Sequence, residues 1–255
     1  MKKALLVAFI TIMLLTACSQ QGAAEKPAGE ITVSAAASLK EPLDEIVKMY
    51  MEEANVKAVV NYGSSGTLQK QIEEGAPVDL FISAGRRQVD ALMDKGIADK
   101  ESYKELLANS LVLVVSYSYD KDIKDIMDLK DRDIKLAIGE TGTVPAGQYA
   151  KDFLDNTALW NVFDKKLVFA KDVKAVLSYV EAGDAHAGLV YCSDAVKLKN
   201  SYVAYEIPAD KHNPIIYPMV IIKASKNAAS AEAFTKYLGE QKCREIFEKY
   251  KFKVK

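Results

Sequence analysis

Four junctions in this chain run from an apolar, strand-like stretch into a helix through small residues. They read Val33-Ser34-Ala35-Ala36-Ala37-Ser38, Tyr62-Gly63-Ser64-Ser65-Gly66-Thr67, Thr143-Val144-Pro145-Ala146-Gly147 and Phe169-Ala170-Lys171-Asp172-Val173. The first three carry no charged side chain. A helix N-terminus leaves backbone N–H groups without intrahelical partners and bears a partial positive charge, so it can hold an anion. Several such ends aimed at one point would form a cage of neutral donors for a small, fully ionised oxyanion.

Each junction also has a plainer role. Ser38 stands three residues before Glu41, the spacing of a capping box, so its hydroxyl either closes its own helix or donates to a ligand. Ser65 lies in a Gly-Ser-Ser-Gly turn, where Ser64 is an equal candidate for donor or cap. Pro145 suits the first position of a helix, which would leave the amides of Ala146 and Gly147 pointing outward. Asp172 reads as an N-cap that bonds its own helix and leaves the Val173 amide free. Tyr191 falls at the end of a predicted strand, where its hydroxyl either completes the cage or tops a half-buried ring.

The elements that must position these residues alternate. Strands are expected at 31–36, 56–62 and 78–83, with helices at 39–53, 68–74 and 87–95 between and after them. That β-α-β-α-β-α order indicates a parallel sheet covered on both faces. A second α/β block follows, with strands at 134–139, 167–170 and 187–191 and helices at 146–154 and 173–181. Further strand-like stretches cover 111–117, 202–207 and 215–222, and helices at 231–238 and 241–250 close the chain. If the apolar strands 111–117 and 215–222 both cross between lobes, the fold is two α/β lobes on a two-strand hinge. Lobe 1 would then hold 30–112 and 217–255, and lobe 2 would hold 113–216. A cleft between such lobes is a natural ligand site.

The remainder of the sequence bounds the class. Lys2 and Lys3 precede an apolar run at 4–15 that ends in Leu15-Thr16-Ala17-Cys18, similar to a bacterial lipoprotein cleavage box. Residues 1–18 are expected to be an exported leader, with Cys18 lipidated and serving as a membrane anchor on the outer face. Residues 19–29 have no apolar side chain larger than alanine or proline, as in a flexible stalk. The formal charge is −1, or −3 without Lys2 and Lys3, which argues against a nucleic-acid partner. Cys192 and Cys243 could pair, but two separated cysteines are no disulfide framework. Cys192, His186 and His212 lack the companions of a nucleophilic or metal site, and the histidines read as surface or helix-end residues; an enzyme is not expected.

Taken together, the runs Ala35-Ala36-Ala37-Ser38-Leu39, Gly75-Ala76-Pro77-Val78-Asp79-Leu80-Phe81-Ile82-Ser83-Ala84, Val144-Pro145-Ala146-Gly147-Gln148-Tyr149-Ala150-Lys151, Asp172-Val173 and Gly188-Leu189-Val190-Tyr191-Cys192-Ser193-Asp194-Ala195 resemble the molybdate-binding proteins of bacterial ABC importers, within the periplasmic type II solute-binding family. The resemblance covers nearly all of 31–255. It implies a ligand shell of Ser38 and Ser65 (hydroxyl and amide), Ala146 and Val173 (amide) and Tyr191 (hydroxyl). It also implies a monomer without cofactor that binds molybdate or tungstate and passes it to a permease with its ATPase. Gly66 and Cys192 depart from residues common in relatives. The chemistry agrees: molybdate near pH 7 is a proton-free tetrahedral dianion that suits donors alone, whereas hydrogen phosphate would want an acceptor, and the smaller sulfate must be rejected by size. Sulfate and phosphate are the alternative ligands.

Overall fold

Short apolar runs and amphipathic helices alternate to build two sheets in the computed structural model, which describes residues 29–119 and 122–255. The first sheet takes β1 (Gly29–Ala36), β2 (Val56–Gly63) and β3 (Leu80–Ile82), joined by α1 (Lys40–Ala54) and α2 (Ser65–Glu73) and followed by α3 (Arg86–Asp94) and β4 (Lys104–Ala108). The second takes β5 (Leu111–Ser116), β6 (Leu136–Gly139), β7 (Leu167–Ala170), β8 (Ala187–Tyr191) and β9 (Ser201–Glu206). It is covered by α4 (Pro145–Asn156), α5 (Trp160–Phe163) and α6 (Val173–Ala182). The chain then returns to the first sheet through β10 (Ile216–Ile221), α7 (Ala228–Leu238), α8 (Gln241–Lys249) and β11 (Lys253–Val254). Of the leader and stalk readings at 1–18 and 19–29, all but Gly29 lies outside the described residues, Cys18 included; Gly29 itself opens β1. Among the described residues, no helix is long and apolar enough to cross a membrane.

Local chemistry accounts for most of these elements. The buried stripe of α1, Leu43, Ile46 and Tyr50, has helical spacing, and Asn55 stops the helix in the left-handed region. Burying Leu43 or Ile46 completely stabilises the fold by about 1.5–3 kcal/mol each relative to exposure. Gly183 ends α6 in the same way, at φ +80°, a conformation that disfavours any side chain.

The strand orders are β11-β4-β10-β3-β1-β2 and β7-β6-β8-β5-β9. β1 runs parallel to β2 and β3, and β6 parallel to β7 and β8. Both sheets are nonetheless mixed, because β10 is antiparallel to β3 and β4, and β5 to β8 and β9. The three strands expected to be parallel are so, and β10 and β4 extend their sheet with antiparallel pairs.

The hinge also differs from expectation. β5 lies wholly in the second sheet, with Leu111 and Val112 paired to Tyr191 and Val190. β10 lies wholly in the first, with Ile216 paired to Ala108. The chain crosses instead at Asn109-Ser110 and again through residues 207–215. Every residue of β5 and β10 is buried, and a strand covered on both faces gives one long apolar run whether or not it crosses. Pro218 sits in β10 where the register with β4 shifts, a place where a missing N–H is tolerated.

Candidate functional site

Parallel pairing brings the carboxyl ends of β1, β2 and β3 to one edge of the first sheet, and those of β6, β7 and β8 to one edge of the second. The two edges face each other across the cleft, the usual position for a ligand in such sheets. A cavity there, about 210 Å³ including its mouth, is lined by Ala36, Ala37, Ser38, Gly63, Ser64, Ser65, Ala84, Val144, Pro145, Ala146, Asp172, Val173 and Tyr191. All five residues expected in the shell therefore line one cavity, and all five are buried. Among the described residues no lysine, arginine or histidine lines it; Lys171 is exposed and stands outside.

The donors come in two kinds. Ser65 and Val173 are the first residues of α2 and α6, and Ala146 is the second of α4, behind Pro145. Their amides precede the first intrahelical bond, and none donates to another group among the described residues. The hydroxyls are arranged individually. Ser65 Oγ accepts from the Ala84 amide at 3.0 Å, which leaves its hydrogen available. Ser64, the other candidate, is the N-cap of α2: its Oγ accepts from the Thr67 amide at 3.2 Å and donates to Thr67 Oγ1 at 2.7 Å.

Ser38 does not form the expected capping box. It sits within a 3₁₀ turn ahead of α1, and its Oγ lies 2.9 Å from the Tyr217 hydroxyl. Glu41 instead reaches Lys174 at 2.6 Å. Tyr191, 1% exposed, has no hydrogen-bond partner for its hydroxyl among the described residues. Burial holds its pKa well above the ordinary phenol range, reinforced by the neighbouring Tyr217, so the group is a neutral O–H.

Among the described residues, Asp172 is the one acidic side chain on the wall. Its Oδ1 accepts from the Ala175 amide at 2.8 Å, so it caps α6. Beside it, Lys174 contacts Asp194 at 2.9 Å, and the Asp194 side chain is fully buried. Burial raises the Asp194 pKa against the opposing pull of Lys174. For Lys174, burial lowers the pKa, but Asp194 and Glu41 outweigh it and the net shift is upward.

Several contacts join the lobes beside the cavity, among them Gln88 Nε2 donating to Gln148 Oε1 at 3.4 Å. The Gly66 amide donates to Thr143 O at 2.8 Å, and the Glu41–Lys174 pair spans the same gap. A larger groove between the lobes, about 1120 Å³, is lined by charges of both signs, among them Arg86, Arg87, Glu105, Asp152 and Lys255. Arg86 already pairs with Asp90 at 3.3 Å, and the mixture suits no single small ion.

The other sequence candidates lie apart. Cys192 and Cys243 are free thiols. His186 Nδ1 accepts from the Lys135 amide at 2.9 Å. His212 is buried rather than at the surface, with Nδ1 donating to Asn213 O at 2.7 Å. No group of three or more His, Cys, Asp or Glu among the described residues is placed to hold a metal ion. Sequence reasoning missed Ala84, whose amide orients Ser65, and the buried pair Tyr217 and Asn109. Only Asn109 had a local signal, a polar Asn-Ser step between two apolar runs.

The chain matches the family model of bacterial extracellular solute-binding proteins over residues 31–253. It is 40% identical over 98% of both chains to the Bacillus subtilis (strain 168) protein YvgL, named as a candidate ABC transporter substrate-binding lipoprotein. It is 39% identical to the Escherichia coli (strain K12) molybdate-binding protein ModA, over 89% of this chain and 90% of that one. Among solved structures, the substrate-binding domain of a candidate molybdenum ABC transporter from Clostridium difficile aligns with TM-score 0.70 and 43% identity, covering 89% of this chain and all of that one. With two lobes of the type II arrangement and a buried cavity between their strand ends, the chain belongs to the bacterial extracellular solute-binding protein family.

Proposed function

We propose that this protein captures molybdate or tungstate outside the cytoplasm and delivers it to an ABC importer, acting as a monomer held to the membrane by a lipid on Cys18. The observation that carries this reading is the make-up of the cavity wall: among the described residues it holds helix-start amides without partners and the hydroxyl residues Ser38, Ser65 and Tyr191, with no cationic side chain. The free space open to a water-sized sphere is only about 10 Å³, far below the roughly 300 Å³ at which sites for organic ligands begin. That size favours a small inorganic ion over a sugar or peptide. A fully ionised tetrahedron satisfies every donor and asks for no acceptor. Neutral donors also spare the ligand-free protein the cost of a buried, unpaired cation. The names of the E. coli and C. difficile relatives support molybdate over other anions, and that of YvgL supports the lipid anchor.

The test is competition by calorimetry and thermal melting. Molybdate and tungstate should each raise the melting temperature by mass action, with sulfate and phosphate giving little shift at equal concentration. A shift with phosphate or sulfate and none with molybdate would overturn the assignment. Replacing Cys18 with serine should release the protein from membranes, and mass spectrometry of the wild-type N-terminus should find a diacylated cysteine.

A further inference from the structure

Ser38 meets the cavity through a hydroxyl whose oxygen is 2.9 Å from that of Tyr217, and either oxygen could be the donor. The direction matters, since a hydrogen facing a dianion attracts it and a lone pair repels it. Tyr217 is fully buried on β10. Its oxygen also receives a hydrogen bond from Asn109 Nδ2 at 3.3 Å. The same Nδ2 donates to Ser193 Oγ at 2.9 Å. The orientation of the Asn109 amide is itself fixed, because Oδ1 accepts from the Ser110 backbone N–H at 2.9 Å, a donor that cannot reverse. Both hydrogens of Nδ2 are thus spent on Ser193 and Tyr217. Asn109 Nδ2 can only donate, so of the two groups bonded to the buried Tyr217 hydroxyl only Ser38 Oγ can take its hydrogen; the Ser38 hydrogen is then left for the cavity.

Asn109 is also the first residue of the crossing between the sheets, and its amide donates to Ile215 O, at the end of the second crossing, at 3.1 Å. One residue therefore connects both crossings, Ser193 of the second lobe and, through Tyr217 of the first lobe, Ser38.

We infer that Asn109 is a positioning and specificity residue: acting through Tyr217, it fixes Ser38 as a donor and so biases the cavity against anions that carry a proton. This rests on the reading of Ser38 as part of an oxyanion cage. Chains of hydrogen bonds polarise one another, so the relay also strengthens the terminal donor. Ser65 is fixed the same way by a rigid amide, so that both cage serines face the ligand with hydrogen rather than lone pair.

Asn109→Asp tests this directly. One carboxylate oxygen keeps the Ser110 bond, but the other can only accept. Tyr217 then donates to that carboxylate, Ser38 donates to Tyr217, and a lone pair faces the cavity. Molybdate binding to the purified protein, measured by calorimetry, should weaken about tenfold or more, and the preference for molybdate over phosphate should fall by a similar factor. Tyr217→Phe, which removes the relay without adding charge, should weaken molybdate by about threefold, within the smaller range of a neutral hydrogen bond.

Both variants are repeated in a Ser38→Ala background. If the relay works only through Ser38, neither substitution has a further effect there. A full Asn109→Asp effect persisting in that background would show direct charge repulsion or a hinge defect, and would overturn the inference. Wild-type affinity and anion preference in Asn109→Asp, with Ser38→Ala still weakened, would overturn it while leaving the proposed function intact. If Ser38→Ala itself binds molybdate normally, Ser38 is no cage residue and the relay fails with it.

Discussion

Ser65 and Tyr191 show two ways of holding a donor ready. The Ser65 oxygen is occupied by the Ala84 amide, so its hydrogen is directed. The Tyr191 hydroxyl is buried without a partner among the described residues, which costs the ligand-free protein about 1–3 kcal/mol. Tyr191→Phe should therefore shift stability and affinity in opposite directions. The melting temperature without ligand should stay level or rise, while molybdate binding weakens by about 1.5–3 kcal/mol, the range for a hydrogen bond to a charged partner. Calorimetry and melting on the same samples check both. Ser65→Ala should weaken binding by a similar amount but also lower stability, because it strands the Ala84 amide. Lys174 belongs at this scale as well. Lys174→Met leaves the buried Asp194 carboxylate without its counter-charge, and breaking such a pair costs about 3–5 kcal/mol. The sign with pH follows from the Asp194 pKa, already raised by burial and raised further once the lysine is gone. A raised folded pKa gives stability that is present below the ordinary aspartate value near 4 and is lost as pH climbs through the folded value. Urea denaturation should thus show a deficit that is largest near neutrality and shrinks towards pH 4. An equal deficit at both pH values would refute the role assigned to Asp194.

At the level of elements, the junction between β2 and α2 carries both binding and closure. Gly66, second residue of α2, donates its amide to Thr143 O across the cleft, and a Cβ there would stand 2.4 Å from that oxygen. Gly66→Ala cannot close in the same way. Alanine favours a helix over glycine by up to about 1 kcal/mol, so the fold should survive or gain slightly, whereas molybdate should dissociate at least about tenfold faster in a stopped-flow chase. Unchanged dissociation would show that the two sheets need not approach this closely. The junctions were legible because a helix start is set locally: Pro145 and Asp172 occupy the N1 and cap positions their residue types indicate. Helix ends were equally local, with Gly75, Gly96 and Gly183 all at positive φ. What was not legible depends on partners far along the chain. β4, Lys-Glu-Leu-Leu-Ala, has helix-forming residues and becomes a strand through its pairing with β10 and β11. Ser38 has the local pattern of a capping box, yet its oxygen is taken by a tyrosine 179 residues away. The crossing at Asn109-Ser110 was hidden in the same way, since β5 and β10 are apolar throughout for reasons of burial, not connection.

For the whole molecule, the energetics of closure decide the behaviour. The described structure has its lobes together, with Gly66–Thr143, Gln88–Gln148 and Glu41–Lys174 among the polar contacts across the gap beside the cavity. None is strong. A partly exposed ion pair contributes about 0–1 kcal/mol, and a neutral hydrogen bond about 0.5–1.5 kcal/mol net. Against them stand the like partial charges of helix ends on both lobes, aimed at one small space. Closure without an anion is therefore poorly supported, and the anion supplies the difference by bonding donors from both lobes at once. A ligand shifts such an equilibrium only by its differential affinity for the two states. A cage split between lobes makes that difference large, because the open form offers Ser38 and Ser65 without Ala146, Val173 and Tyr191. Small-angle scattering should accordingly give a larger radius of gyration without ligand than this closed arrangement has, and saturating molybdate should contract it to the closed value. Glu41→Gln, which weakens one bridge while leaving the cage untouched, should need more molybdate for the same contraction without changing its end point. Identical scattering curves with and without molybdate, under conditions where calorimetry shows the site filled, would mean that the lobes are fixed and that capture does not proceed by closure.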